Sequence, residues 1–223
     1  EDGWRGDRPA RWTLTADGGC LRIWPAGDVH QGDAAHALPF PEGADSGMWS
    51  WGPHAELLCL LGRRKRWVGA GRSAREAVTP VLEFWRITGR ARCLGGWIGA
   101  EDAVHTPPVW LGERLVLSLD GVLHVFDPRA PRAPSAHPTQ VVGDRPPRCI
   151  GGERVRLVEG AKIATVDVST GEIARWSRRF SVQQQHISPD ERRVLSIDSA
   201  RRIRLDDLDR RRCLARAQIP AGE

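Results

Sequence analysis

Six basic residues and a tryptophan crowd one short stretch of this chain: Arg63, Arg64, Lys65, Arg66, Trp67, Arg72 and Arg75, with no carboxylate among them. Cations at that density contact phosphates or carboxylates, and an exposed indole stacks on a base or ring. The whole chain of 223 residues carries +5. Setting these six cations aside leaves 27 basic against 28 acidic residues, a balance of −1. The basic character is therefore a property of one segment. It reads either as an electrostatic docking element or as a solvated arginine-rich loop with no partner.

Other constellations carry less. Gly69-Ala70-Gly71-Arg72-Ser73-Ala74 copies the spacing of a dinucleotide fingerprint. That chemistry needs an apolar strand before it and a full helix after it. Here the flank before is arginine-rich and the flank after stops at Pro80. Ser73-Ala74-Arg75-Glu76 reads instead as a capping box for a helix of one or two turns. No G-x-S-x-G, H-E-x-x-H or phosphate-binding P-loop occurs. His30 and His36 are close together but lack further ligands. Asp127, Asp167 and Asp207 recur every 40 residues and read as turn residues closing strands. No residue is assigned to catalysis or to a metal, and no cofactor is expected.

The elements that must present these residues show themselves as a repeat. A hydroxyl residue, any residue and an aspartate precede a short apolar strand three times: Thr15-Ala16-Asp17, Ser118-Leu119-Asp120 and Ser196-Ile197-Asp198. Trp85, Phe126, Val166 and Asp206 end successive strands at spacings of 41, 40 and 40. Arg-Cys-Leu recurs at Cys93 and Cys213, three periods apart. A period near 40 with four short strands per unit is a propeller blade signature. Ser118-Leu119-Asp120-Gly121-Val122-Leu123-His124-Val125-Phe126-Asp127 resembles a WD repeat, with Phe where the family usually has Trp. Trp24 and Trp85 keep the Trp but not the following Asp, and Val166-Asp167 keeps only the Asp. The resemblance is to a diverged, bacterial type of WD-repeat β-propeller. It implies an all-β fold and a non-catalytic scaffold or docking module.

One propeller domain over residues 1–223 is expected, with repeats at about 1–40, 47–97, 107–142, 147–177 and 183–219. Five blades either close a ring or belong to a larger one. The first blade lacks an obvious inner strand, and no Met opens the chain, so it reads as a processed protein or a piece of a longer one. Trp24 precedes Trp85 by 61, so about 20 surplus residues fall at 62–81, between strands b and c of the second blade. In an up-and-down blade that insertion projects from the end carrying the b–c turns.

Composition narrows the setting. Lys65 and Lys162 are the two lysines among 33 basic residues, a bias towards arginine that suggests a high-GC bacterial genome. Ten tryptophans and no tyrosine are unusual, but Trp24, Trp51, Trp85, Trp97, Trp110 and Trp176 fall on predicted strands and read as packing. The five cysteines have no C-x-x-C spacing and read as reduced core thiols of a cytoplasmic protein. No apolar run approaches the roughly 18 residues of a membrane span. The expected partner is an acidic protein. Nucleic acid bound by the basic loop is a further reading, and a sugar-binding lectin or glycosidase another. The inner strands 107–111, 147–150 and 183–187 hold no Asp or Glu, which counts against a glycosidase.

Overall fold

Short runs of aliphatic residues, each closed by a turn residue, build this chain into antiparallel sheets. Arg114-Leu115-Val116-Leu117-Ser118-Leu119 is one such strand, buried from Leu115 to Leu119. Asp120 (φ 47°) and Gly121 (φ 77°) then reverse the chain with two left-handed residues, the geometry of a type I′ hairpin. The computed structural model describes residues 12–17, 20–25, 36–41, 44–53, 56–70, 74–88, 90–142, 145–178 and 182–220.

Among these residues every regular element is a strand. The first sheet holds β1 (Trp12–Asp17), β2 (Cys20–Pro25) and β3 (His36–Pro39). The second holds β4 (Ala44–Trp51), β5 (Leu57–Val68), β6 (Arg75–Thr88) and β7 (Arg90–Ile98). The third holds β8 (Val109–Leu111), β9 (Arg114–Leu119), β10 (Val122–Phe126) and β11 (Ser135–Pro138). The fourth holds β12 (Arg148–Cys149), β13 (Arg154–Glu159), β14 (Lys162–Asp167) and β15 (Ile173–Ser177). The fifth holds β16 (Gln184–Ile187), β17 (Arg193–Ile197), β18 (Arg202–Asp207) and β19 (Arg212–Gln218). In each sheet the strands lie side by side in chain order. The expected inner strand of the first blade, at Glu1 to Ala10, lies outside the described residues.

The chain forms two compact units. The first contains the first two sheets, Gly112–Leu115 and Phe126–Pro134. Its core joins Leu21, Ile23 and Leu38 to Leu58, Leu60 and Ile87, with Trp51 and Trp85 packed alongside. Phe126 is fully buried there, its ring 5.9 Å from that of Phe84 and 5.3 Å from that of Trp97. The second unit contains the remaining residues of the last three sheets. One of its cores joins Val116, Leu123 and Val125 to Val155, Leu157 and Val166, and another joins Val158 and Ile163 to Val194 and Leu208.

The repeated Arg-Cys-Leu has a structural meaning. Trp85 pairs with Cys93 while Phe84 pairs with Gly95, and Asp206 pairs with Cys213 while Leu205 pairs with Ala215. Each triplet thus places one extra residue, Leu94 or Leu214, in the last strand of its sheet, a β-bulge that adds local twist. All five cysteines are free. The expectation of core thiols holds for Cys59, which is buried, and burial pushes its thiol pKa well up. It fails for Cys93, which is exposed on the bulged strand.

The aspartates spaced by 40 residues close turns. Asp127 Oδ1 accepts the Arg129 N–H at 2.8 Å, and Asp207 Oδ1 accepts the Arg210 N–H at 2.8 Å. The Ser169 hydroxyl and the Thr170 N–H hold the Asp167 carboxyl below the ordinary carboxylate pKa. Each caps the turn that follows the third strand of its sheet.

Candidate functional site

The basic segment is not the loop with a short helix that its sequence predicts. β5 and β6 pair in unbroken register from Leu57↔Arg86 to Val68↔Arg75. β4 accompanies β5 only as far as Arg64, and β7 accompanies β6 only as far as Val81. Lys65–Val68 and Arg75–Val78 therefore stand out as a two-stranded arm. Arg75 opens β6, so the predicted capping-box helix is a strand, and the helix a dinucleotide fingerprint requires is absent from the described residues. Arg72 lies outside the described residues.

Strand alternation sorts the arm into two faces. Arg63, Lys65 and Trp67 share one, opposite Glu76, Val78 and Pro80. Trp67 is 72% exposed. Arg64 and Arg66 share the other face with Arg75 and Ala77, and Ala77 is buried. Three of the six cations are matched by carboxylates. Lys65 lies 3.7 Å from Glu76, Arg66 donates to Glu101 at 2.8 Å, and Arg75 is paired with Glu101 and Asp102. The segment that follows β7 supplies the last two acids and latches onto the arm: Val78 N donates to Asp102 Oδ1 at 2.9 Å, and Gly99 N to the Pro80 carbonyl at 2.9 Å.

The Val78 N–H and then Arg75 hold the Asp102 carboxyl below its ordinary pKa. A carboxyl depressed in the folded state stabilises above its unfolded value, near 3.9, and that contribution is lost as pH falls through the folded value. Protection of the Val78 amide from hydrogen exchange, corrected for intrinsic rate, should therefore be full at pH 6 and decline below about pH 4. Asp102→Asn should remove that pH step. Equal protection at pH 6 and pH 3 in the parent would show that the Asp102 charge does not hold the arm.

The second unit holds a cavity of about 360 Å³ that sequence reading missed. Its walls come from the fourth and fifth sheets and their turns, including Arg154, Arg156, Glu191, Arg192, Asp209 and Arg211. Arg156 is its buried floor, 3% exposed, donating to Asp209 Oδ1 at 2.6 Å and to the Glu191 carbonyl. Arg148 donates to Glu191 Oε1 at 2.9 Å. Asp190, also in the lining, accepts from the Ser188 hydroxyl and the Arg192 N–H, which together hold its carboxyl below the ordinary pKa.

Elsewhere in the second unit, a charged pair lies fully inside. Arg178 and Asp206 have side chains with no exposed surface, 3.3 Å apart. Arg178 also donates to the Ser196 hydroxyl at 2.5 Å and to the Gly160 carbonyl, and Arg204 Nε donates to Asp206 at 2.7 Å. Burial pushes the Arg178 guanidinium pKa down, and Asp206 opposes that. Nothing near Arg178 in sequence announces this role.

Among the described residues no group of three or more His, Cys, Asp or Glu could hold a metal, and His30 lies outside them. No helix of the described residues is long and apolar enough to cross a membrane.

No protein-family model and no curated protein sequence matches this chain. Solved structures do. A dihydro-heme d1 dehydrogenase, NirN, in complex with DHE superposes with a TM-score of 0.60 at 14% identity, over 96% of this chain and 45% of that one. This chain thus spans less than half the length of that protein. The AfRom2 CNH domain matches at a TM-score of 0.49 and 10% identity, over 94% of this chain and 67% of that one. Sheets of four antiparallel strands laid out in chain order, together with the first of these likenesses, identify the fold of this chain as a β-propeller.

Proposed function

We propose that this chain is a diverged WD-type propeller module that docks a protein partner through the β5–β6 arm. The observation that carries the reading is Trp67, 72% exposed on the same face as Arg63 and Lys65. Exposed aromatic and arginine side chains on a rigid hairpin are the residue types that dominate interface energies. WD character draws support from the fifth sheet, where Ser196 of the Ser-x-Asp phrase takes a hydrogen bond from Arg178 and Asp198 accepts the Arg202 N–H at 2.8 Å. The partner in this reading is an acidic protein segment and the setting is the cytoplasm. The carboxylates beside Lys65, Arg66 and Arg75 compete with any anionic partner for those cations, nucleic acid included, so the reading leans on Trp67 and Arg63. No catalytic role is assigned, and β8, β12 and β16 carry no carboxylate.

The test is to trim the arm. Joining Arg64 to Thr79, which already face each other, through Asn-Gly makes a two-residue hairpin. Exposed ion pairs contribute only about 0–1 kcal/mol each, so the trimmed chain should stay within about 1–2 kcal/mol of the parent. Capture of partners from the native host at low salt should be lost on trimming, and lost from the intact chain at moderate salt. Recovery of the same partners by both chains would move the docking surface elsewhere.

A further inference from the structure

The cavity between the fourth and fifth sheets has more cation than its own acids consume. Asp209 is matched by Arg156 at 2.6 Å and by Arg192 at 3.8 Å. Glu191 is matched by Arg148 at 2.9 Å. Asp190 is occupied by a hydroxyl and a backbone N–H. The guanidinium groups of Arg154 and Arg211 line the same space and have no side-chain partner among the described residues. Counting Arg148, five guanidinium groups face three carboxylates, leaving two positive charges.

The floor is rigid by construction. Arg156 is fixed by acceptors on two turns of the fifth sheet, so the cavity keeps its shape without a ligand. Arginine forks match the oxygens of phosphate and carboxylate groups in bidentate fashion. A volume of about 360 Å³ is at the small end of ligand sites and holds an oxyanion with a short carbon skeleton.

We propose that this cavity binds a small, doubly charged oxyanion, with a phosphomonoester as the ligand class, through Arg154 and Arg211. This site is independent of the arm. Its charge excess of two favours a dianion over a monoanionic diester, and its size favours a free small molecule over a phosphorylated side chain on a folded protein.

Calorimetric titration with glycerol 3-phosphate tests it, with dimethyl phosphate as the monoanionic diester and a phosphoserine peptide as the macromolecular source. Glycerol 3-phosphate should bind at least about tenfold tighter than the diester, because the second negative charge adds a charge-assisted hydrogen bond to a guanidinium. Arg154→Gln and Arg211→Gln should each weaken binding about tenfold or more while leaving the unfolding midpoint unchanged. Arg216→Gln removes one charge from the exposed last strand and should change nothing. Equal binding of the diester, parent-like affinity in both cavity variants, or an equal loss in Arg216→Gln would overturn the site. Tight binding of the phosphopeptide with none of glycerol 3-phosphate would overturn the small-molecule assignment.

Discussion

Replacing Asp206 with alanine should cost about 3–5 kcal/mol of folding stability. The side chain is fully buried, and among the described residues its carboxylate is the one acid paired with the equally buried Arg178, 3.3 Å away. Removing it leaves a guanidinium in a low-dielectric site, held by neutral acceptors alone. Arg204 loses the same partner but is 15% exposed and can turn to water. The neighbouring residue is the control. Asp207 is partly exposed, and its carboxylate only caps a turn, so Asp207→Ala should cost about 1 kcal/mol. Replacing both members of the buried pair by Met and Leu should recover much of the loss, since apolar packing often substitutes for a buried ion pair. Urea unfolding of the variants reads all of this. Comparable losses for Asp206→Ala and Asp207→Ala would mean that the buried pair is not what holds the fifth sheet. The consequence reaches the cavity as well, because Asp209, which fixes Arg156, sits in the turn directly after β18.

The strands were legible because each is short, aliphatic and closed by a turn residue. β17 and β18 fall at 193–197 and 202–207, where the repeat puts them. The turn role of Asp127, Asp167 and Asp207 was legible for the same reason: a local side chain bonds a local backbone. The arm departs from its sequence signals because those signals are local. Ser73-Ala74-Arg75-Glu76 looks like a helix start, but a helix of one or two turns scarcely outlasts its nucleation cost. An unbroken ladder with Leu57–Val68 is available to the same residues and wins. Pro80, a stop signal in the sequence, sits inside β6 beyond the last β7 pairing, where Gly99 uses its carbonyl as an acceptor and does not call on its missing N–H.

Long-range chemistry was not legible at all. The segment from Gly62 to Arg75 contains no acid, yet Glu101 and Asp102 reach its cations from the far end of β7. Arg178 and Asp206 are 28 residues apart, and Arg156 and Asp209 are 53 apart. In a repeat fold, residues one blade apart face each other, so a charge count along the chain misses such pairs.

The second large effect is expected at Phe126. Phe126→Ala should cost about 3–5 kcal/mol, from lost burial, the cavity left behind and two ring contacts. The side chain is fully buried, with Trp97 edge-on at 5.3 Å and the fully buried Phe84 at 5.9 Å. The WD resemblance makes Phe126→Trp the sharper experiment, because tryptophan is the usual residue at this place in the repeat. Here Phe84 and Trp97 already fill the surrounding space, so the larger ring should overpack and cost about 1–3 kcal/mol rather than stabilise. Phe126 also starts the segment to Pro134 that belongs to the first unit, where Pro131 lies 3.0 Å from the Cβ position of Gly95 and Arg129 pairs with Glu113 at 3.0 Å. Release of that segment gives an independent readout: trypsin should cut after Arg129 or Arg132 faster in Phe126→Ala than in the parent under native conditions. A Phe126→Trp chain more stable than the parent would show that the aromatic cluster has room for tryptophan, and that packing does not exclude it here.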